Sequence, residues 1–254
     1  MKRVLVFFVA SLVAAVAAFA GTIVVSGDSN LGNGINGSAG APIADNGLFF
    51  SNLLGGGTSV ALRTTTNGDT GSEIPSQNAI LNYYGGLSGV TVNSFGAPVS
   101  PALLSGVNLF IAFLPDVDFT AGETSAIAAF LNGGGTILLT GEWRSFDAAA
   151  DAHVNSLLSA LGSPLAIAPD DLDLGFRVAS GSQIAADPLT AGVSHFTYAA
   201  TSGVTGGTPL FFTTGGTPFM EYASTSNTST PEPSTLLLVV GAGLGLSLFR
   251  RCRA

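Results

Sequence analysis

Residues 107–142 read VNLFIAFLPDVDFTAGETSAIAAFLNGGGTILLTGE, and they carry the clearest secondary-structure pattern in the chain. The apolar run at 107–114 predicts a buried strand, and Thr120 with Glu123 three residues later forms a capping box that opens a helix. The three glycines after the helix end it, and residues 136–140 predict a second buried strand. Strand, helix and strand with short connections predict two parallel strands that are neighbours in one sheet.

The same alternation of strands and helices continues on both sides of this unit. Further strands are predicted at residues 22–26, 59–64, 90–92, 165–167, 176–178, 210–213 and 219–222, and further helices at 46–54, 77–84 and 147–161. This order predicts a three-layer αβα domain with a mostly parallel central sheet. The alternative fold class is an all-β sandwich, because many Gly- and Thr-rich secreted chains form one.

Several short motifs in this region resemble the glutamine-amidotransferase-like, flavodoxin-type α/β fold. They are the strand that ends in Leu-Pro, the helix that opens Phe-Thr-x-x-Glu, the stretch FLNGGGTILLTGE, and Pro-Leu-Thr-x-Gly-Val at 188–193. Active amidotransferases use a cysteine at a strand-to-helix turn, but residues 21–223 contain no cysteine and no Gly-x-Ser-x-Gly elbow. The resemblance therefore implies a relative that is not an enzyme.

The candidate binding residues follow predicted strands. Glu142, Trp143 and Arg144 come directly after the strand at 136–140, while Asp28 and Asp116 follow two other strands. In open parallel sheets ligands gather at the carboxyl ends of the strands, so these five residues predict a ligand-binding rim. Two alternatives stay open. Either Glu142 and Arg144 cap helices or pair with each other while Trp143 covers the rim, or the rim carboxylates serve an exported hydrolase.

Imidazole and metal chemistry have little support in this sequence. His153 and His195 are the two histidines, and both fit structural roles better than catalysis. The acidic turns at 116–118 and 170–173 offer oxygen ligands, but neither matches the spacing of a calcium-binding loop. No cofactor is predicted, and calcium is the alternative.

Residues 1–20 match a secretory signal peptide. In order they contain a charged start at Lys2 and Arg3, an apolar run at 4–16, and small residues at Ala18 and Ala20 before Gly21. This pattern predicts cleavage by signal peptidase and a mature chain that begins at Gly21.

Residues 231–254 contain three ordered parts that resemble the PEP-CTERM sorting signal of Gram-negative bacteria. The parts are Pro231, Glu232, Pro233, Ser234 and Thr235, then an apolar run at 236–249, then a basic tail at 250–254 with Arg250, Arg251 and Arg253. The resemblance implies processing by an exosortase-type enzyme in the inner membrane. The chain would be anchored there for a time, with its body in the periplasm, before release to the cell surface or the extracellular space.

The physical properties of this segment agree with a signal rather than a permanent anchor. A helix over residues 236–249 would be roughly 21 Å long, which is shorter than a hydrocarbon core of about 30 Å. The arginines after it place the basic tail in the cytoplasm and the body outside.

The composition of the body indicates the partners it can have. Residues 21–230 hold three arginines and no lysine, against 15 of the 16 acids of the chain, and the one cysteine is Cys252. Such a surface repels nucleic acid, and stability cannot come from disulfides. Residues 224–230 predict a Ser/Thr-rich linker after an exported α/β domain at 21–223. The predicted protein is a non-catalytic component of the envelope or extracellular matrix, with exopolysaccharide as a candidate partner.

Overall fold

The computed structural model describes residues 21–66, 68–96 and 98–225. The predicted signal peptide, most of the predicted linker and the predicted sorting signal lie outside the described residues. Within these ranges, none of the helices has both the length and the hydropathy that crossing a membrane requires.

The helices and strands of the described residues alternate along most of the chain. The strands are β1 (Thr22–Ser26), β2 (Ser59–Arg63), β3 (Thr91–Phe95), β4 (Leu109–Phe113), β5 (Thr136–Thr140), β6 (Ala166–Ile167), β7 (Arg177–Ser180), β8 (His195–Tyr198), β9 (Val204–Thr205), β10 (Thr208–Phe212) and β11 (Pro218–Ser224). The α-helices are α1 (Asn33–Asn36), α2 (Asn46–Leu54), α3 (Glu73–Gly86), α4 (Pro101–Leu104), α5 (Ala121–Asn132) and α6 (Arg144–Ala160).

Seven of these strands form one central sheet in the order β10-β11-β1-β5-β4-β2-β3. The strands β1 to β5 run parallel to one another, whereas β11 is antiparallel to β1 and β10 is antiparallel to β11. The prediction of an α/β fold with a mostly parallel sheet is confirmed, and the all-β alternative is wrong.

Helices cover both faces of the sheet because the sheet side chains are apolar on both sides. In β4, Ile111 belongs to the core that contains Phe50 of α2, while the neighbouring Phe110 belongs to the core that contains Ile127 of α5 and Leu157 of α6. Successive strand residues point to opposite faces, so an uninterrupted apolar strand needs an apolar layer on each side. The result is a three-layer αβα arrangement.

The predicted unit at 107–142 is present in the structure. Strands β4 and β5 pair in parallel, with Leu109 opposite Thr136. The capping box of α5 is also formed, since Thr120 Oγ1 accepts from the Glu123 N–H at 3.3 Å and Glu123 Oε2 accepts from the Thr120 N–H at 2.9 Å.

Several predicted boundaries differ from the structure, among them the starts of α3 and α6 and the end of β11. Helix α3 begins at Glu73, four residues before the predicted start. Helix α6 begins at Arg144 because a first turn precedes Asp147, whose φ of −143° lies outside the helical range. Strand β11 continues to Ser224, within the predicted linker, because Ser224 pairs with Thr22 of β1.

Candidate functional site

The carboxyl ends of β1 and β5 place two of the predicted acids side by side. Ser26 at the end of β1 pairs with Thr140 at the end of β5, and Asp28 and Glu142 each lie two residues further on. Gly27, between Ser26 and Asp28, is required by packing, because a Cβ there would lie 2.0 Å from the carbonyl oxygen of Ser202. The backbone of Ser202 therefore lies directly against this end of β1.

Asp28 is fully buried and is bound by backbone groups. Its Oδ1 accepts from the Asn30 N–H at 2.7 Å, and its Oδ2 accepts from the Ala199 N–H at 2.9 Å. Burial raises the pKa of Asp28 to about 6 from 3.8, against the lowering effect of those hydrogen bonds.

Glu142 is also fully buried and touches the same loop. Its Oε2 accepts from the Ser29 hydroxyl and, at 3.2 Å, from the Asn30 side-chain amide, while its Oε1 accepts from the Trp143 N–H at 3.1 Å. Burial raises its pKa well above the ordinary range, and the nearby charge of Asp28 adds to the shift.

Glu73, at the start of α3, is a third acid at this edge and was not predicted. Its Oε1 accepts from the Ser72 hydroxyl at 2.7 Å and lies 3.5 Å from the Asn30 side-chain nitrogen. Its Oε2 is buried without a hydrogen-bond partner. Asn30 therefore links Glu73 to Glu142 from the loop after β1.

Asp151, in α6, is the fourth buried acid and also was not predicted. Its Oδ1 accepts from the Glu142 N–H at 2.9 Å, and its Oδ2 accepts from the Ser202 hydroxyl at 3.1 Å. Burial raises its pKa to about 7 from 3.8. We call Asp28, Glu73, Glu142 and Asp151 the buried acid cluster.

The remaining predicted rim residues make separate contacts. Asp116 accepts from the hydroxyl of Thr65 and, at 2.9 Å, from both the N–H and the hydroxyl of Thr66. Arg144 is exposed and pairs with Asp171 at 2.9 Å, and Trp143 is half-buried. The structure thus brings Asp28 and Glu142 together, and gives Asp116 and Arg144 other partners.

The histidines are bound at other places. His153 Nδ1 lies 2.7 Å from Asp118 Oδ1, and His195 is exposed with its backbone N–H bound to Asp45. The acidic turn at 170–173 was one of the two segments considered for calcium. There, the carboxylates of Asp171 and Asp173 accept hydrogen bonds from N–H and O–H groups of the protein. No group of three or more His, Cys, Asp or Glu residues within the described ranges is arranged to hold a metal ion.

The carboxyl groups of the buried acid cluster can bind protons, and they can join loops through hydrogen bonds. Two of its members have pKa values of about 6 and 7, so they change protonation near neutrality. The loop after β1, the turn after β5, α3 and α6 all meet through these carboxyl groups. A pair of buried carboxyls with raised pKa at this edge is also a known arrangement of acid–base sites.

Comparisons with known proteins add little to this picture. The chain matches no family model and no curated protein. Among solved structures it is similar to one described as "mmIFT52 N-terminal domain", with 19% identity and a TM-score of 0.39, over 49% of this chain and 64% of that one. Similarity at this level supports no functional inference.

Proposed function

We propose that this chain is an exported, non-catalytic protein of the envelope or extracellular matrix, sorted through residues 231–254 by an exosortase-type enzyme. The order of a Pro-Glu-Pro motif, a short apolar run and a basic tail supports the sorting step. The signal-peptide pattern of residues 1–20 supports export through the inner membrane.

The geometric observation that supports a non-catalytic role is the burial of the predicted rim acids. Asp28 and Glu142 are both 0% exposed, and their carboxyl oxygens are bound by N–H and O–H groups of the protein. A general acid or base must come within about 2.6–3.2 Å of a substrate atom. Acids that are sealed in this way fit a structural role in which they tie four segments together.

The net negative charge of residues 21–230 limits the classes of partner that this chain can bind. An acidic surface without lysine repels nucleic acid and anionic lipid, and it keeps a protein soluble outside the cell. We therefore propose exopolysaccharide as the partner in the matrix.

Sorting is tested by replacing Pro231, Glu232 and Pro233 with alanine in the native host. The two prolines fix φ on either side of Glu232, so the replacement removes the rigid motif while leaving the apolar run and arginines unchanged. We expect normal export, with mature chains that begin at Gly21, but retention of the basic tail and of the protein in the inner membrane.

The readout is mass spectrometry of both termini together with membrane fractionation. A matched control replaces three linker residues, Asn227, Thr228 and Ser229, with alanine and should be processed like the wild type. Loss of the tail at the wild-type level in the Pro-Glu-Pro variant would overturn the sorting proposal.

A second candidate is an exported hydrolase, and the pairing of Asp28 with Glu142 favours it. Two neighbouring carboxyls with raised pKa are the kind of pair that glycoside hydrolysis uses. It would require this edge to open, since both side chains are buried. Release of reducing ends from host exopolysaccharide by the purified mature protein, abolished by Glu142→Gln, would establish this candidate in place of the non-catalytic one.

A further inference from the structure

Beside the buried acid cluster, the loop after β2 brings together a hydroxyl, a carboxylate and a carboxamide. The hydroxyl of Thr65 donates to Asp116 Oδ1, and the backbone N–H of Thr65 donates to Oε1 of Gln77 at 2.9 Å. Thr65 is 4% exposed and Gln77 is 6% exposed. Three separate segments supply these groups, namely the loop after β2, α3 and the turn after β4.

Each of the three groups has a defined role in acyl transfer. A hydroxyl whose proton is bound by a carboxylate is an activated nucleophile. An N–H that binds a carbonyl oxygen polarises that carbonyl and stabilises the negative charge that develops on attack. In this case the N–H belongs to the same residue as the nucleophile, as in the oxyanion holes of serine hydrolases. Burial of Thr65 and Gln77 limits the water that would compete with the hydroxyl.

The amide carbon of Gln77 lies close to the nucleophile's own residue. This carbon is one C=O bond, about 1.2 Å, from the oxygen that Thr65 binds. Attack requires the hydroxyl oxygen and the carbon to approach to about 3–3.5 Å. The hydrogen bond from the backbone N–H of Thr65 keeps the Gln77 carboxamide beside the residue that carries the hydroxyl.

We propose that Thr65 and Gln77 form an intramolecular ester with release of ammonia. Thr65 Oγ1 attacks the side-chain carbon of Gln77 while Asp116 accepts the hydroxyl proton. The tetrahedral intermediate then collapses as Asp116 passes that proton to the amide nitrogen, the C–N bond breaks and ammonia leaves. Asp116 is a carboxylate again at the end, and the reaction uses no oxidant, reductant or cofactor.

The composition of the body makes such a bond useful. Residues 21–225 contain no cysteine and no lysine, so neither a disulfide nor a lysine isopeptide can brace this exported domain. The ester would join two positions separated by 12 residues and fix the loop after β2 to α3. A covalent link of this kind stabilises mainly by restricting the unfolded chain.

The test is the intact mass of the mature wild-type protein under denaturing conditions. We expect a mass lower than that of its sequence by one ammonia molecule, and a protease digest that contains one peptide pair joined through Thr65 and Gln77. Hydroxylamine should cleave the pair, because it attacks esters. A wild-type mass equal to that of the sequence would overturn the proposal, as would a loss of ammonia that maps to an Asn-Gly pair.

Three variants identify the reacting groups. Thr65→Val and Gln77→Glu should each have the mass of their sequence, because one lacks the nucleophile and the other presents a carboxylate, which is a poor acyl donor. The matched control is Thr66→Val, since the Thr66 hydroxyl also binds Asp116. It should keep the cross-link. A cross-link that persists in Thr65→Val would rule out this nucleophile, and the wild-type measurement decides the proposal even where a variant fails to fold.

Discussion

Asp28, at the buried edge of the sheet, and Asp45, just before α2, are bound in similar ways but have opposite pKa shifts. Each carboxylate accepts hydrogen bonds from two backbone N–H groups. Burial raises the pKa of Asp28 to about 6, whereas hydrogen bonds, led by the hydroxyl of Ser194, lower the pKa of the partly exposed Asp45. At the buried edge desolvation outweighs hydrogen bonding, and in the loop hydrogen bonding outweighs desolvation.

The largest expected effect on stability comes from removing the buried carboxyl group of Asp28. Asp28→Ala leaves the N–H groups of Asn30 and Ala199 buried without acceptors, and each such group costs about 1–3 kcal/mol. We expect the free energy of unfolding at pH 5 to fall by about 3 kcal/mol in urea titrations.

Asp45→Ala is the matched control for that prediction. It also removes the acceptor of two backbone N–H groups, but water reaches them, so we expect a loss under about 1 kcal/mol. Equal losses in the two variants would show that burial does not distinguish the two sites.

The second prediction concerns pH. An acid with a raised folded-state pKa stabilises the fold when protonated, and this contribution is complete below its unfolded pKa of 3.8 and is lost as pH rises through the folded value. For Asp28 and Asp151 the folded values are about 6 and about 7. At about 1.4 kcal/mol per pKa unit, we expect these two groups together to make the free energy of unfolding about 2 kcal/mol lower at pH 6 than at pH 5.

The partly exposed acids act in the opposite direction and in a different pH window. Asp45 and Asp173 have lowered pKa values, so their contributions are present above 3.8 and are lost as pH falls through their folded values. Stability should therefore be greatest near pH 4, between the two windows. Urea titrations across this range that show rising stability up to pH 8 would contradict the assignment of raised pKa values.

A smaller effect is expected at Asp151, another member of the buried acid cluster. Asp151→Asn keeps an oxygen for the Glu142 N–H but removes the titrating group. We expect the difference in unfolding free energy between pH 5 and pH 6 to shrink by about 1 kcal/mol. The partly exposed control Asp171→Asn should leave that difference unchanged.

The smallest expected effect is at the exposed ion pair. Arg144→Gln removes the 2.9 Å contact with Asp171, and water and salt screen such pairs. We expect no measurable change in the midpoint of thermal unfolding at pH 7. A clear drop would show that this contact stabilises the start of α6.

Much of the fold could be predicted from the sequence because the signals are local. The bounds of β1, α2 and β5 agree with the predictions, since apolar runs and flanking glycines define them. Strand β8 was missed because it is only four residues long, and so short a stretch gives little periodicity to recognise. The sorting and export signals lie outside the described residues and stay predictions.

The candidate site was only partly predictable. Asp28 and Glu142 could be found because each follows a buried strand, and parallel strands place their carboxyl ends at one edge. Glu73 and Asp151 lie on helices and carry no local signal that relates them to that edge. Their roles arise from contacts such as that between Asp151 and Ser202, which are 51 residues apart.

The sequence by itself determined the order of most of the strands and helices, the acidic body without cysteine, and the patterns that predict export and sorting, because these depend on residue type and spacing. Only the tertiary structure decided which acids are buried, which hydrogen bonds they accept and in which direction their pKa values move. Asp28 and Asp45 show why, since both are aspartates with two backbone donors, and the different exposure to water that folding gives them reverses the shift.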